Sequence, residues 1–193
     1  LRTDWKAWGQ LVLGGLGVGL RALGDIFAVV SGQLTLAQSA VSTAGDILLQ
    51  SSTAQLIIAA TVQTGSGDIS LRAATGIQHQ AAAFVSTAGG SVDELTTAGD
   101  ITIASAALLT TGGGSVRLSA GANVIVSGID AGAGAVSVLA GTGNIVDGSL
   151  GTAITAASVR LSAGGAIGSV AGNAPLKVDV NTLSGQAGGA LSI

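Results

Sequence analysis

The pattern Gly67-Asp68-Ile69-Ser70-Leu71-Arg72-Ala73, a small turn followed by an apolar, a polar and a second apolar residue, returns along most of the chain. It recurs as Gly45-Asp46-Ile47-Leu48-Leu49, Gly114-Ser115-Val116-Arg117-Leu118, Gly134-Ala135-Val136-Ser137-Val138 and Ala157-Ser158-Val159-Arg160-Leu161. The first apolar position falls at residues 47, 69, 92, 116, 136 and 159, in steps of 20 to 24 residues. An internal repeat of this length restricts the chain to arrays in which each unit buries its apolar side on its neighbours.

Two further apolar columns keep the same period. One reads Leu34, Ile57, Ile77, Ile101, Val124, Ile145, Ile167 and Leu191; the other reads Val41, Val62, Val85, Leu109, Ile129, Ile154 and Leu176. Ile26 and Leu183 extend the first column outward. The columns predict an all-β right-handed parallel β-helix, with three short strands per coil of about 22 residues and eight to nine coils. Its inward core is expected at Ile47, Ile69, Leu71, Val116, Leu118, Val136, Val138, Val159, Leu161, Ile57, Ile77, Ile101, Val124, Ile145 and Ile167. Helical repeats do not fit, because the alternation has period 2, as in Ile101-Thr102-Ile103, and Gly interrupts it about every ten residues. An antiparallel sandwich would have no need of three columns sharing one period. A single coil buries too little hydrocarbon to offset the entropy of ordering its backbone, so stability must come from stacking.

Composition agrees with a narrow core. Of 193 residues 32 are Gly and one is Pro, and only 2% are aromatic and 9% charged, so Val, Ile, Leu and Ala must fill the interior. The corners are expected at Gly89-Gly90, Gly112-Gly113-Gly114 and Gly164-Gly165, where glycine supplies positive φ and room for close approach between coils. A net charge of −3, with seven scattered basic residues, provides no footprint for nucleic acid or anionic lipid. The absence of Cys excludes a disulfide frame, a thiolate metal site and a cysteine nucleophile.

Residues 1–25 are expected to form an irregular N-terminal coil or cap, and residues 26–193 the repeats. The apolar run Leu11 to Val30 is broken by five glycines and carries Arg21 and Asp25, which argues against a spanning helix and so against membrane insertion. Trp5 and Trp8 are expected to cover the first rung. The start at Leu1 suggests a processed product or an excerpt. Leu191-Ser192-Ile193 stops in mid-coil, which predicts a longer parent chain or self-association through exposed end coils.

Asp25, Asp46 and Asp68 occupy one column ahead of three successive coils. Turn capping of backbone N–H groups is the favoured role, and Ca²⁺ held between stacked carboxylates is the alternative. No other metal, cofactor or binding residue stands out. Asp93 is expected to pair with Arg117 on the outside. Glu94 takes a position filled elsewhere by Leu71 and Leu118, so either the strand bulges at Val92 to Leu95 or a carboxylate points inward; a bulge is expected, because an unpaired buried charge is costly. His79, the single histidine, falls in the column of Ala59, Ile103 and Val126 and is expected to be inward and hydrogen-bonded. A hydrolase or lyase would group His79, Glu94 and Asp100 on one face. Thr43, Thr64, Thr87 and Thr111 form a partial corner file, which raises an ice-binding alternative; hydroxyl-stacked corners are the simpler account.

The segments Ala157-Ser158-Val159-Arg160-Leu161-Ser162-Ala163-Gly164-Gly165, Pro175-Leu176-Lys177-Val178 and Gly188-Gly189-Ala190-Leu191-Ser192-Ile193 resemble repeat units of very large secreted bacterial surface proteins, the filamentous-haemagglutinin-like adhesins and their β-strand-repeat relatives. Gly141-Thr142-Gly143-Asn144-Ile145-Val146-Asp147-Gly148 is similar to a linking element of the same repeats. The resemblance spans about residues 40 to 193. It implies a right-handed β-helix, extracellular display on a bacterial surface or in a biofilm matrix, and a non-catalytic adhesive or structural fibre that meets host or matrix glycans. The secretion domain of such proteins is not recognisable in residues 1–25. A carbohydrate-active β-helix, lyase or hydrolase, is the rival reading.

Overall fold

A computed structural model describes residues 3–7, 11–13, 19–168 and 175–193. These residues form strands and turns without a helix, and their strands pair in parallel into a solenoid. The first face stacks Thr3–Ala7, Ile26–Val30, Ile47–Ser51, Ile69–Ala73, Val92–Thr96, Val116–Ala120 and Ala135–Ala140. The second stacks Leu11–Leu13, Leu34–Leu36, Gln55–Ile58, Gly76–His79, Asp100–Ile103, Val124–Val126 and Ile145–Asp147. The third stacks Leu20–Ala22, Ala40–Ser42, Thr61–Thr64, Phe84–Thr87, Leu108–Thr110 and Ile129–Asp130.

The seven strands of the second face correspond to about seven full turns, fewer than the eight or nine expected. Beyond Ile145 that face continues only as single bridges, Ile145 to Ile167 and Ile167 to Leu191. Residues 3–7, 11–13 and 20–22, within the expected irregular coil, pair on all three faces: Thr3 lies opposite Ile26, Leu11 opposite Leu34 and Leu20 opposite Ala40. The cover expected of Trp5 and Trp8 lies outside the described side chains.

Side chains alternate in and out along each strand, as the period of 2 requires. Ile47, Ile69, Leu71, Ile77, Ile101, Val116, Leu118, Val124, Val136, Val138, Ile145, Val159, Leu161 and Ile167 are all buried. Ile57 is not among them: Leu56 and Ile58 point inward, opposite Ile77 and His79, and Ile57 turns outward. Three successive apolar residues leave the alternation ambiguous by one position, and the neighbouring rungs decide it. For the same reason Ala40, not Val41, lies opposite Val62 in the third column. Val178, not Leu176, lies opposite Ile154, although Leu176 is buried just ahead of it.

Between Leu20 and Ala163 the strands are joined by connections of two to six residues. The third-to-first corner carries a file of glycines, Gly45, Gly67, Gly90, Gly114 and Gly134. A Cβ at Gly67, Gly90, Gly114 or Gly134 would run into the carbonyl oxygen of the preceding glycine of the file. Close approach between coils therefore demands these glycines. Positive φ occurs as expected at Gly112 (59°) and Gly113 (117°) of the same corner, whereas neither Gly89-Gly90 nor Gly164-Gly165 adopts it. From Ile154 onward the corner is two residues shorter: Val136 follows Ile129 by seven positions, but Val159 follows Ile154 by five. The third-face strand then runs directly into the first-face strand, giving the ten-residue strands Ile154–Ala163 and Val178–Ala187.

Candidate functional site

Among the described residues polar groups form ladders along the corners, a buried pair in the core, a charged cluster on the outer first face, and a carboxylate site at the end of the second face. In the first ladder the Asp25 carboxylate accepts the Asp46 N–H at 3.1 Å, Asp46 accepts the Asp68 N–H at 2.8 Å, and Asp68 accepts the Ser91 N–H at 2.7 Å. These carboxylates cap the next coil, 21 to 23 residues away, in place of their own turns as expected. Strand spacing provides the reason, because it sets each carboxylate one rung from the N–H above it.

A second ladder precedes the second face. Asp100 accepts the Asn123 N–H at 2.8 Å, Asn123 accepts the Asn144 N–H at 2.9 Å, and Asn144 accepts the Ala166 N–H at 2.7 Å. Sequence reading missed it, although the 23- and 21-residue offsets between three Asx residues were a visible signal. Asp100 thus belongs to this ladder and makes no group with His79 and Glu94. The hydroxyl file consists of Ser42, Thr64, Thr87 and Thr111, with Ser42 in the place expected for Thr43. Ser42, Thr64 and Thr87 donate to the carbonyls of Gly24, Gly45 and Gly67 at 2.7 to 2.9 Å, and Thr111 donates to that of Gly114. All four are buried, so this file presents no ordered hydroxyl array to water or ice.

The core holds one anomaly. Glu94 keeps the register of Leu71 and Leu118 without a bulge and is 0% exposed. His79, 1% exposed, lies beneath it in the preceding coil, with Nε2 2.9 Å from Oε1 and 3.0 Å from Oε2. The expected bulge is absent because an inward imidazole supplies the missing partner. Both carboxylate oxygens thus lie within hydrogen-bond distance of one ring nitrogen, and among the described residues Oε1 has no second partner.

Outside the same strand, Asp93 accepts two hydrogen bonds from Arg117, at 2.7 and 2.9 Å, and lies 3.5 Å from Arg72. Hydrogen bonding to Asp93, and then its charge, hold the Arg117 proton more tightly than usual. Arg117 is 57% exposed, so this fork is expected to contribute little. Arg117→Ala should cost under about 1 kcal/mol in urea unfolding, and less in high salt. Toward the C-terminus a shallow groove of about 240 Å³ runs over Ser137 between Arg117 and Arg160.

Asp147, at the end of the Ile145–Asp147 strand, has a side chain only 4% exposed. Burial alone would push its carboxyl up. Hydrogen bonds from the Ser149 hydroxyl and from the Lys177 and Ser149 N–H groups, with the Lys177 ammonium 3.7 Å away, outweigh that effect and hold it below the usual carboxylate range. A depressed folded value contributes stability above the unfolded range, near pH 4, and loses it as pH falls through the folded value. Asp147→Asn should therefore cost about 1–2 kcal/mol at pH 7, and the gap to wild type should close toward pH 2 in paired thermal melts.

Among the described residues no three His, Asp or Glu side chains gather as metal ligands. No helix among the described residues is long and apolar enough to cross a membrane. Comparison with known proteins finds no matching family model, no matching characterised protein and no matching solved structure, so the reading of function rests on this geometry.

Proposed function

We propose that the chain is a non-catalytic segment of an extracellular structural or adhesive β-solenoid fibre from a bacterial surface or matrix protein. The observation that carries this reading is the uninterrupted stack: connections of two to six residues repeat coil after coil, and no long loop rises between Leu20 and Ala163 to wall a substrate cleft. A lyase or hydrolase would need its carboxylate and imidazole within reach of a sugar, whereas His79 and Glu94 face into the core. The last described strand, Val178–Ala187, pairs on one side only, and Leu183, Leu191 and Ile193 beyond the core are 40%, 54% and 43% exposed. The groove between Arg117 and Arg160 is where an acidic glycan would make contact. Electron microscopy of the full-length protein is expected to show thin rods or filaments; compact particles, or turnover of polysaccharide by the purified chain, would overturn the proposal.

A further inference from the structure

The strand Val92–Thr96 is charged on both of its faces. Glu94 points in to His79 of the preceding coil, and Asp93 points out between Arg72 of that coil and Arg117 of the next. Elsewhere the corresponding inward columns are aliphatic: Leu49, Leu71, Leu118 and Val138 on the first face, and Leu36, Ile58, Ile103 and Val126 on the second. Among the described residues His79 and Glu94 are the titratable side chains of the buried core.

We propose that this strand is an address that fixes the order of the coils. In an array of near-identical coils the competing states are stacks on the wrong neighbour, within one chain or between chains, and an aliphatic column packs comparably against either. The coil that opens at Val92 is different. Placed on any coil but the one carrying His79, it buries a carboxylate without a partner, and its Asp93 loses at least one flanking guanidinium. One imidazole nitrogen faces both carboxylate oxygens, so the pair is not tuned for stability, since a fully satisfied network would give each oxygen a donor of its own. Its effect is discrimination: the correct neighbour is tolerated and every wrong one is penalised.

The test removes the address while keeping the core apolar. H79I/E94L/D93S replaces the pair with residue types of the adjacent rungs and the outer acid with a serine like Ser70 and Ser137. The reporter Q78C/T102C joins register partners on the second face, and the chain has no other thiol. Neighbouring strands lie about 4.8 Å apart, within disulfide range. After unfolding in urea, refolding and oxidation, the reporter in the wild-type background should close within single chains. The variant should melt at the same or a higher temperature, yet give severalfold more interchain cross-links and unclosed reporter. The reversed pair H79E/E94H, with Asp93 kept, should restore closure within chains. The proposal is overturned if the variant closes as faithfully as wild type, if it melts well below wild type or does not fold, or if the reversed pair remains promiscuous.

Discussion

Replacing His79 with leucine while Glu94 is kept is expected to cost about 3–5 kcal/mol, because it leaves a fully buried carboxylate without its partner. The reciprocal Glu94→Leu should cost less, about 1–3 kcal/mol, since it removes the carboxylate and leaves the imidazole short of only a hydrogen bond. This asymmetry is the informative part of the experiment. Two aliphatic residues together should recover the whole loss, as the adjacent rungs already carry Leu71, Leu118, Ile58 and Ile103 at these positions. Urea unfolding of the four members of the cycle measures each term. Equal and additive losses from the two single variants would show that the groups do not interact, contrary to the 2.9 Å approach.

Gly90→Ala is expected to cost about 3 kcal/mol or more, and Gly89→Ala next to it almost nothing. A Cβ at Gly90 would overlap the Gly67 carbonyl oxygen of the coil below, while one at Gly89 meets nothing within 4 Å. Neither residue has positive φ, so backbone strain does not separate the two substitutions. A small gain of about 0.4–1 kcal/mol at Gly89 would follow from the lower entropy of the unfolded chain. Thermal melts of the pair measure the difference. Equal shifts would mean that the coils can separate locally at little cost, and a close-packed glycine corner would then be the wrong account.

These two experiments mark where sequence reading succeeds and where it stops. Asp93 and Arg117 could be paired from the 24-residue offset alone, since adjacent rungs repeat at that spacing. His79 could be placed inward from its column. Glu94 could not: burying a carboxylate is costly in general, and only the nearby imidazole makes it tolerable. The roles of Asp25, Asp46 and Asp68 were half legible. Their capping chemistry follows from residue type, but the partner is the N–H one coil away, which depends on rung spacing.

The sequence by itself determined the solenoid, its three columns and its aliphatic core, because a period of 2 nested in a period of 20 to 24 residues fits stacked strands and little else. Tertiary structure decided which of Leu56, Ile57 and Ile58 turns inward, why Gly90 has no room for a side chain, and how Asp147 meets Lys177 across 30 residues. Alternation along a strand is ambiguous by one residue, and only the rungs above and below it remove that ambiguity.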